Sequence, residues 1–145
     1  MKVEPILLST VRVQTFLGPS GLANATGFFF ERDRRLFLVT CRHVLVDAAH
    51  DHHPDRLEFA VHVERDGLVS SASVSLSLYE NGLGVWRTCA DSAGDVDVAA
   101  IEIAPGSLPP HTVYCAFSPD NLPRASHAVE VGQSKLVRYV ATPEK

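Results

Sequence analysis

Cysteine is scarce in this chain, with only Cys41, Cys89 and Cys115, and the scarcity excludes two classes at once. The three lie far apart, any bridging scheme leaves one over, and there is no Cys-x-x-Cys element, so neither a disulfide-stapled fold nor a cysteine-rich zinc module is indicated. Basic residues are also few, 13 Lys plus Arg against 17 Asp plus Glu, for a formal net charge of −4. Binding to a phosphate backbone needs a concentrated positive field, so no nucleic acid partner is expected. No apolar run approaches the roughly 20 residues of a bilayer-crossing helix. The start, Met1-Lys2-Val3-Glu4-Pro5-Ile6, lacks the basic-then-apolar pattern of a secretory leader. A cytoplasmic, reducing location without membrane association is the expectation. Repeats, low-complexity tracts and linkers are missing too, so residues 1–145 read as one domain.

What is present is a soluble, core-forming composition, 46% hydrophobic and 21% charged. A chain of 145 residues buries roughly two thirds of its unfolded surface, so folding requires no cofactor. Short runs rich in Val, Ile, Leu and Phe alternate with turn residues, the pattern of an all-β barrel or sandwich. Strands are expected over Ile6–Leu17, Thr26–Arg32, Leu36–Thr40, Arg56–Glu64, Ser73–Tyr79, Val85–Cys89, Val96–Ile103, Val113–Phe117 and Val129–Val140. In Leu57-Glu58-Phe59-Ala60-Val61-His62-Val63-Glu64 the odd positions are apolar, as in a half-buried strand. Gly18-Pro19-Ser20-Gly21, Asn81-Gly82, Gly94, Pro105-Gly106, Pro109-Pro110 and Pro119 mark turns. The one helical stretch expected runs from Arg42 to about Ala49.

Two motifs carry chemistry. In Leu38-Val39-Thr40-Cys41-Arg42-His43-Val44 a hydrophobic strand runs into a histidine, and in Asp95-Val96-Asp97-Val98-Ala99-Ala100-Ile101 an acid opens another. A carboxylate that accepts the imidazole N–H fixes the tautomer and stabilises the imidazolium formed when the other nitrogen takes a proton. Asp95 and Asp97 share a strand face by period-2 geometry, so both are candidate partners on that ground.

With Thr26-Gly27-Phe28-Phe29-Phe30 preceding these motifs, the chain resembles the chymotrypsin/trypsin-like serine peptidases, especially their bacterial intracellular members. That family's pattern reads Gly-Thr/Ser-Gly-Phe, then Leu-Val/Leu-Thr-x-x-His, then Asp-Ile/Val/Leu-Ala, and only its first glycine departs here, as Ala25. The resemblance implies His43 as general base and Asp97 as its orienting partner, because the family places alanine two residues after the acid. Cys41 and Arg42 have no chemical role in the family, and Cys41 reads as a small packing residue. Val44 stands where many secreted members carry a bridged cysteine, in keeping with a reducing compartment.

The implied fold is an antiparallel six-stranded β-barrel, the first half of the two-barrel trypsin-like fold, with the second barrel absent. In the family that second barrel supplies the serine, the oxyanion hole and the specificity pocket. Residues Val129 to Tyr139 look like the last strand of the first barrel, with Tyr139 near the crossover linker. A complete form would hydrolyse peptide bonds, whereas this chain alone is expected to be inactive, taking a polypeptide substrate only if a second barrel is supplied. Ser20 in Gly18-Pro19-Ser20-Gly21 mimics a nucleophile signature but precedes the histidine, and Ser134 falls inside an expected strand with no following glycine. Reuse of Ser20 would require its hydroxyl within hydrogen-bond reach of His43. His50-Asp51-His52-His53 with Asp55 reads as a solvated loop, since adjacent loop positions seldom converge on one ion, so no metal and no cofactor are expected. Trp86 and Tyr114 read as packing residues. The face left by the second barrel is expected to be apolar and covered by a homo-oligomer, such as a two-fold dimer, or by a partner chain. The alternative is a non-catalytic binding or assembly module that keeps the barrel for its surface.

Overall fold

The computed structural model describes residues 4–122; the strand expected over Val129–Val140, with Ser134 and Tyr139, lies outside the described residues. Ten strands run in chain order: β1 (Thr10–Leu17), β2 (Ser20–Arg32), β3 (Arg35–Thr40), β4 (Arg56–Arg65), β5 (Leu68–Ser77), β6 (Tyr79–Glu80), β7 (Leu83–Gly84), β8 (Trp86–Asp91), β9 (Gly94–Ile103) and β10 (Thr112–Val113). Two short helices, α1 (Pro5–Ser9) and α2 (Arg42–Leu45), and 3-10 turns at Ala48–His50 and Pro119–Asn121 complete the described structure. Eight strands form one sheet in the order β10-β4-β1-β2-β3-β9-β8, with β5 also paired to β4, while β6 and β7 make a separate ribbon. Every ladder between these strands is antiparallel. The described residues are all-β apart from their short helical turns.

Alternation along each strand sets which side chains meet. On β4, Leu57, Phe59, Val61 and Val63 all point into the core, as the odd-position pattern requires. One buried cluster joins them to Val13 of β1, Phe29 of β2, Leu38 of β3, Val74 of β5 and Ile101 of β9. Strands as far apart along the pairing path as β4 and β9 share this cluster, as the curvature of a twisted sheet allows. A second cluster lies on the opposite face of β2, β3 and β9, where Phe30, Phe37, Val39 and Val98 are buried. Phe117 and Leu122 cover it, with Phe117 bonded through its backbone to Phe29 and Glu31. The run Leu38-Val39 is therefore buried on both sides, and its continuous hydrophobicity follows from that.

Four expected strands differ in the structure by four residues or more, one of them β2, which begins at Ser20 rather than Thr26 and ladders to β1 from that point. Ile6–Ser9 is helical, because Pro5 occupies the first turn, where its fixed φ suits a helix; the Ser9 hydroxyl donates back to the Pro5 carbonyl at 2.6 Å. β5 begins at Leu68 rather than Ser73, since Asp66 and Gly67 (φ 52° and 73°) form a tight hairpin turn with both central residues left-handed. The serines at its start mask a strand whose first half is exposed. β10 stops at Val113, short of the expected Phe117, and Phe117 instead makes an isolated parallel bridge to Phe30.

Trp86 and Tyr114 pack as expected. Trp86 lies against the main core and meets Tyr79 edge-on at 5.5 Å, and Tyr114 meets Phe29 in the same way at 5.5 Å.

Candidate active site

The β3–β9 ladder pairs Thr40 with Ala99, so the residues just before Ala99 lie beneath the chain as it leaves β3. There the chain turns into α2. Val44 and Leu45 are buried in the main core, which fixes the helical turn and leaves His43, one residue earlier, facing outward. The end of β3 is itself held by the Thr40 hydroxyl, which donates to the Thr26 carbonyl at 3.0 Å.

His43 and Asp97 meet directly. His43 Nδ1 lies 2.6 Å from Asp97 Oδ2, and the His43 backbone N–H donates to Asp97 Oδ1 at 2.9 Å. Both carboxylate oxygens are thus committed to one residue, which fixes the imidazole's position and rotation together. With the Nδ1 proton given to Asp97, Nε2 carries the lone pair, and no hydrogen bond to Nε2 forms among the described residues. The competing acid is settled by charge: Asp95 pairs with Arg42 at 3.0 Å, leaving Asp97 for the histidine.

Desolvation opposes the charge on Asp97, but the His43 amide and ring, aided by Arg42, outweigh it and hold the carboxyl below its ordinary range. Because the native pKa lies under the unfolded one, the ionised carboxylate stabilises the fold fully above about pH 4, and this stabilisation is lost as pH falls through the native value. The side chains are 59% and 54% exposed, so solvent keeps the contribution small. A carbon-detected NMR titration should place the Asp97 midpoint below that of an ordinary aspartate; an unshifted midpoint would mean that the two bonds to His43 do not persist in solution.

The remaining sequence candidates lie elsewhere or are otherwise engaged. Ser20 opens β2 opposite Leu17, six residues from Thr26 and therefore on the order of 20 Å along the strand from the His43 end. His50 is bonded to Asp47 at 2.7 Å and His52 to the Val44 carbonyl at 2.8 Å, while His53 lies 3.7 Å from Asp51. The loop histidines thus take separate local partners rather than converging. Among the described residues, the large exposed apolar side chains, including Ile6, Leu7, Leu17, Leu22, Leu68, Val69 and Leu83, belong to α1 and to three hairpins. None belongs to β3, α2 or β9, so these carriers of the dyad do not provide the expected apolar face.

Cys41, read from the sequence as a small packing residue, lies exposed beside the dyad. Its sulfur, a ring nitrogen of His43 and a carboxylate oxygen of Asp97 lie within 4.8 Å of one another. Burial pushes the Cys41 thiol up, and the Asp97 charge adds to the effect. The adjacency of Cys41 and His43 in the chain was the only available signal.

No family model, curated protein or solved structure matches this chain.

Proposed function

We propose that this chain is a trypsin-like serine peptidase barrel carrying the general base His43 and its orienting acid Asp97 but not the nucleophilic serine, which in a complete form would come from a second barrel. The observation that carries this reading is the two-point contact of His43 with Asp97, at 2.6 Å to the ring and 2.9 Å to the amide. The strand order supports it. If β5 and β8 are counted as one strand interrupted by the β6–β7 ribbon, the pairings run β1-β2-β3-β9-(β8, β5)-β4-β1, a ring of six. The Val85 N–H, which donates to the Leu78 carbonyl at 3.0 Å, ties the two parts of that strand together.

In this mechanism Asp97 accepts the Nδ1 proton in a hydrogen bond and Nε2 removes the proton from an attacking hydroxyl. The imidazolium so formed is stabilised by the carboxylate and returns the proton to the leaving amine as the acyl-enzyme forms. The open face above His43 is where an attacking serine and a peptide would enter. The described chain alone is expected to be inactive, since an oxyanion hole and a serine within reach of His43 are both required.

Two readouts test the proposal. The purified chain treated with a fluorophosphonate probe should give no His43-dependent adduct. Its proton spectrum should show a strongly deshielded His43 Nδ1–H that disappears in Asp97→Asn. A mapped serine adduct that is lost in His43→Ala would overturn the external nucleophile, and a ring protonated at Nε2 in the neutral form would overturn the base assignment.

A further inference from the structure

We propose that Cys41, His43 and Asp97 form a three-ligand site for a borderline-soft divalent cation, Zn2+ foremost, built on the same residues as the dyad. The donor set carries the inference. A thiolate sulfur, an imidazole nitrogen and a carboxylate oxygen are the ligand types zinc takes from proteins, and three of them with a fourth position open to solvent is the composition of an accessible zinc centre. Among the described residues this is the group of His, Cys, Asp and Glu whose ligand atoms converge, all within 4.8 Å.

Metal–ligand bonds of roughly 2.0–2.3 Å in a tetrahedron put donor atoms about 3.3–3.8 Å apart. With all donor atoms within 4.8 Å and the His43–Asp97 pair at 2.6 Å, an ion would draw the sulfur in and part the ring from the carboxylate, side-chain shifts on the order of 1 Å that give up the dyad's hydrogen bond but need no backbone movement. The backbone beneath is already fixed. Cys41 and His43 are held by the buried Val44 and Leu45 of α2, and Asp97 by the β9 ladder. Arg42, the nearby cation that would repel a metal, is paired with Asp95 at 3.0 Å.

On binding, the thiol proton passes to solvent, the ring proton moves from Nδ1 to Nε2 with loss of the hydrogen bond to Asp97, and the metal takes the sulfur, Nδ1 and carboxylate lone pairs, with no change in oxidation state. An ion seated there would engage the imidazole and the carboxylate that orients it. If His43 is the general base, a clause that rests on the proposed function, the same ion would silence it reversibly. The binding itself does not depend on that reading.

The test uses Co2+ as a spectroscopic probe on the full reduced chain, with Zn2+ as competitor. The expected result is one equivalent of Co2+ bound, with a sulfur-to-cobalt charge-transfer band that Zn2+ displaces. Cys41→Ser should abolish the band and weaken binding by roughly tenfold or more, the scale at which even outer-sphere partners of a metal are felt. Cys89→Ser and Cys115→Ser should leave both unchanged. A band that survives Cys41→Ser, or that never forms, would overturn the proposal, as would binding lost on joint replacement of His50 and His53 by alanine. Because the readout is absorbance of a bound ion, it is independent of the fluorophosphonate outcome, and the two proposals can fail separately.

Discussion

Replacing Phe29 by alanine is expected to cost about 3–5 kcal/mol of stability, the range for truncating a fully buried aromatic. The ring is 1% exposed and meets Phe59 and Tyr114 edge-on at 5.9 and 5.5 Å. Those neighbours stand on β4 and on the segment after β10, so no single element can collapse to fill the hole. The carbonyl of Phe29 also accepts the backbone N–H of Phe117 at 2.9 Å, which ties the covering segment to the same residue. Urea unfolding should show the midpoint falling steeply with the slope unchanged. A loss under about 1 kcal/mol would mean that the site relaxes far more than close-packed interiors do.

The second large effect is expected at Gly27. A β-carbon there would lie 2.9 Å from Leu38 Cδ1, 3.1 Å from the Val39 carbonyl oxygen and 3.2 Å from Val13 Cγ2. Side-chain tips can turn aside, but the carbonyl belongs to the adjacent strand and moves only if β2 and β3 separate. Gly27→Val adds two methyl groups beyond that carbon and should destabilise by at least the roughly 1–3 kcal/mol typical of overpacking. It should also disturb His43, because the neighbouring Thr26 carbonyl receives the Thr40 hydroxyl that holds the end of β3. Gly21→Ala, on the same strand, is the control: its nearest neighbours would lie at 3.7 and 3.8 Å, ordinary contact. If both variants unfold at the same denaturant concentration, close approach at Gly27 is not what that glycine provides.

The sequence carried the strands best where each side chain had one role. β4 alternates between core and solvent, and its pattern was readable residue by residue. So was the candidacy of a strand-end histidine and a distant acid, because hydrophobic strands delimit both motifs, although only the fold shows that the two side chains meet. Position 25 shows a limit of motif reading: the glycine of the resembled pattern is replaced by Ala25, whose side chain simply packs against the main core, whereas the tight approach falls at Gly27. The misread segments are those in which local and long-range preferences diverge. Ile6 and Leu7 are apolar yet exposed on a proline-started helix, and the serines of early β5 are polar yet laddered to β4. Strand geometry left Asp95 and Asp97 equal and only the resemblance favoured Asp97; the capture of Asp95 by Arg42 acts through space and is not written in the spacing. The position of Cys41 beside the dyad depends likewise on how the chain turns after Thr40.

The second apolar layer gives the molecule an unequal pair of walls. Its inner wall is sealed by many strands at once, whereas the outer one, over Phe30, Phe37, Val39 and Val98, is closed among the described residues outside the sheet by Phe117 and Leu122, a flap held near Phe117 by two backbone hydrogen bonds. Elements with so few ties open at lower free energy than the sheet beneath them. When the flap lifts, the strands stay folded and His43 keeps its partner, yet a row of phenylalanine and valine side chains turns toward water, the kind of surface on which molecules adhere. Heat or a protease acting on that flap would therefore produce a folded but adhesive protein before it produced an unfolded one.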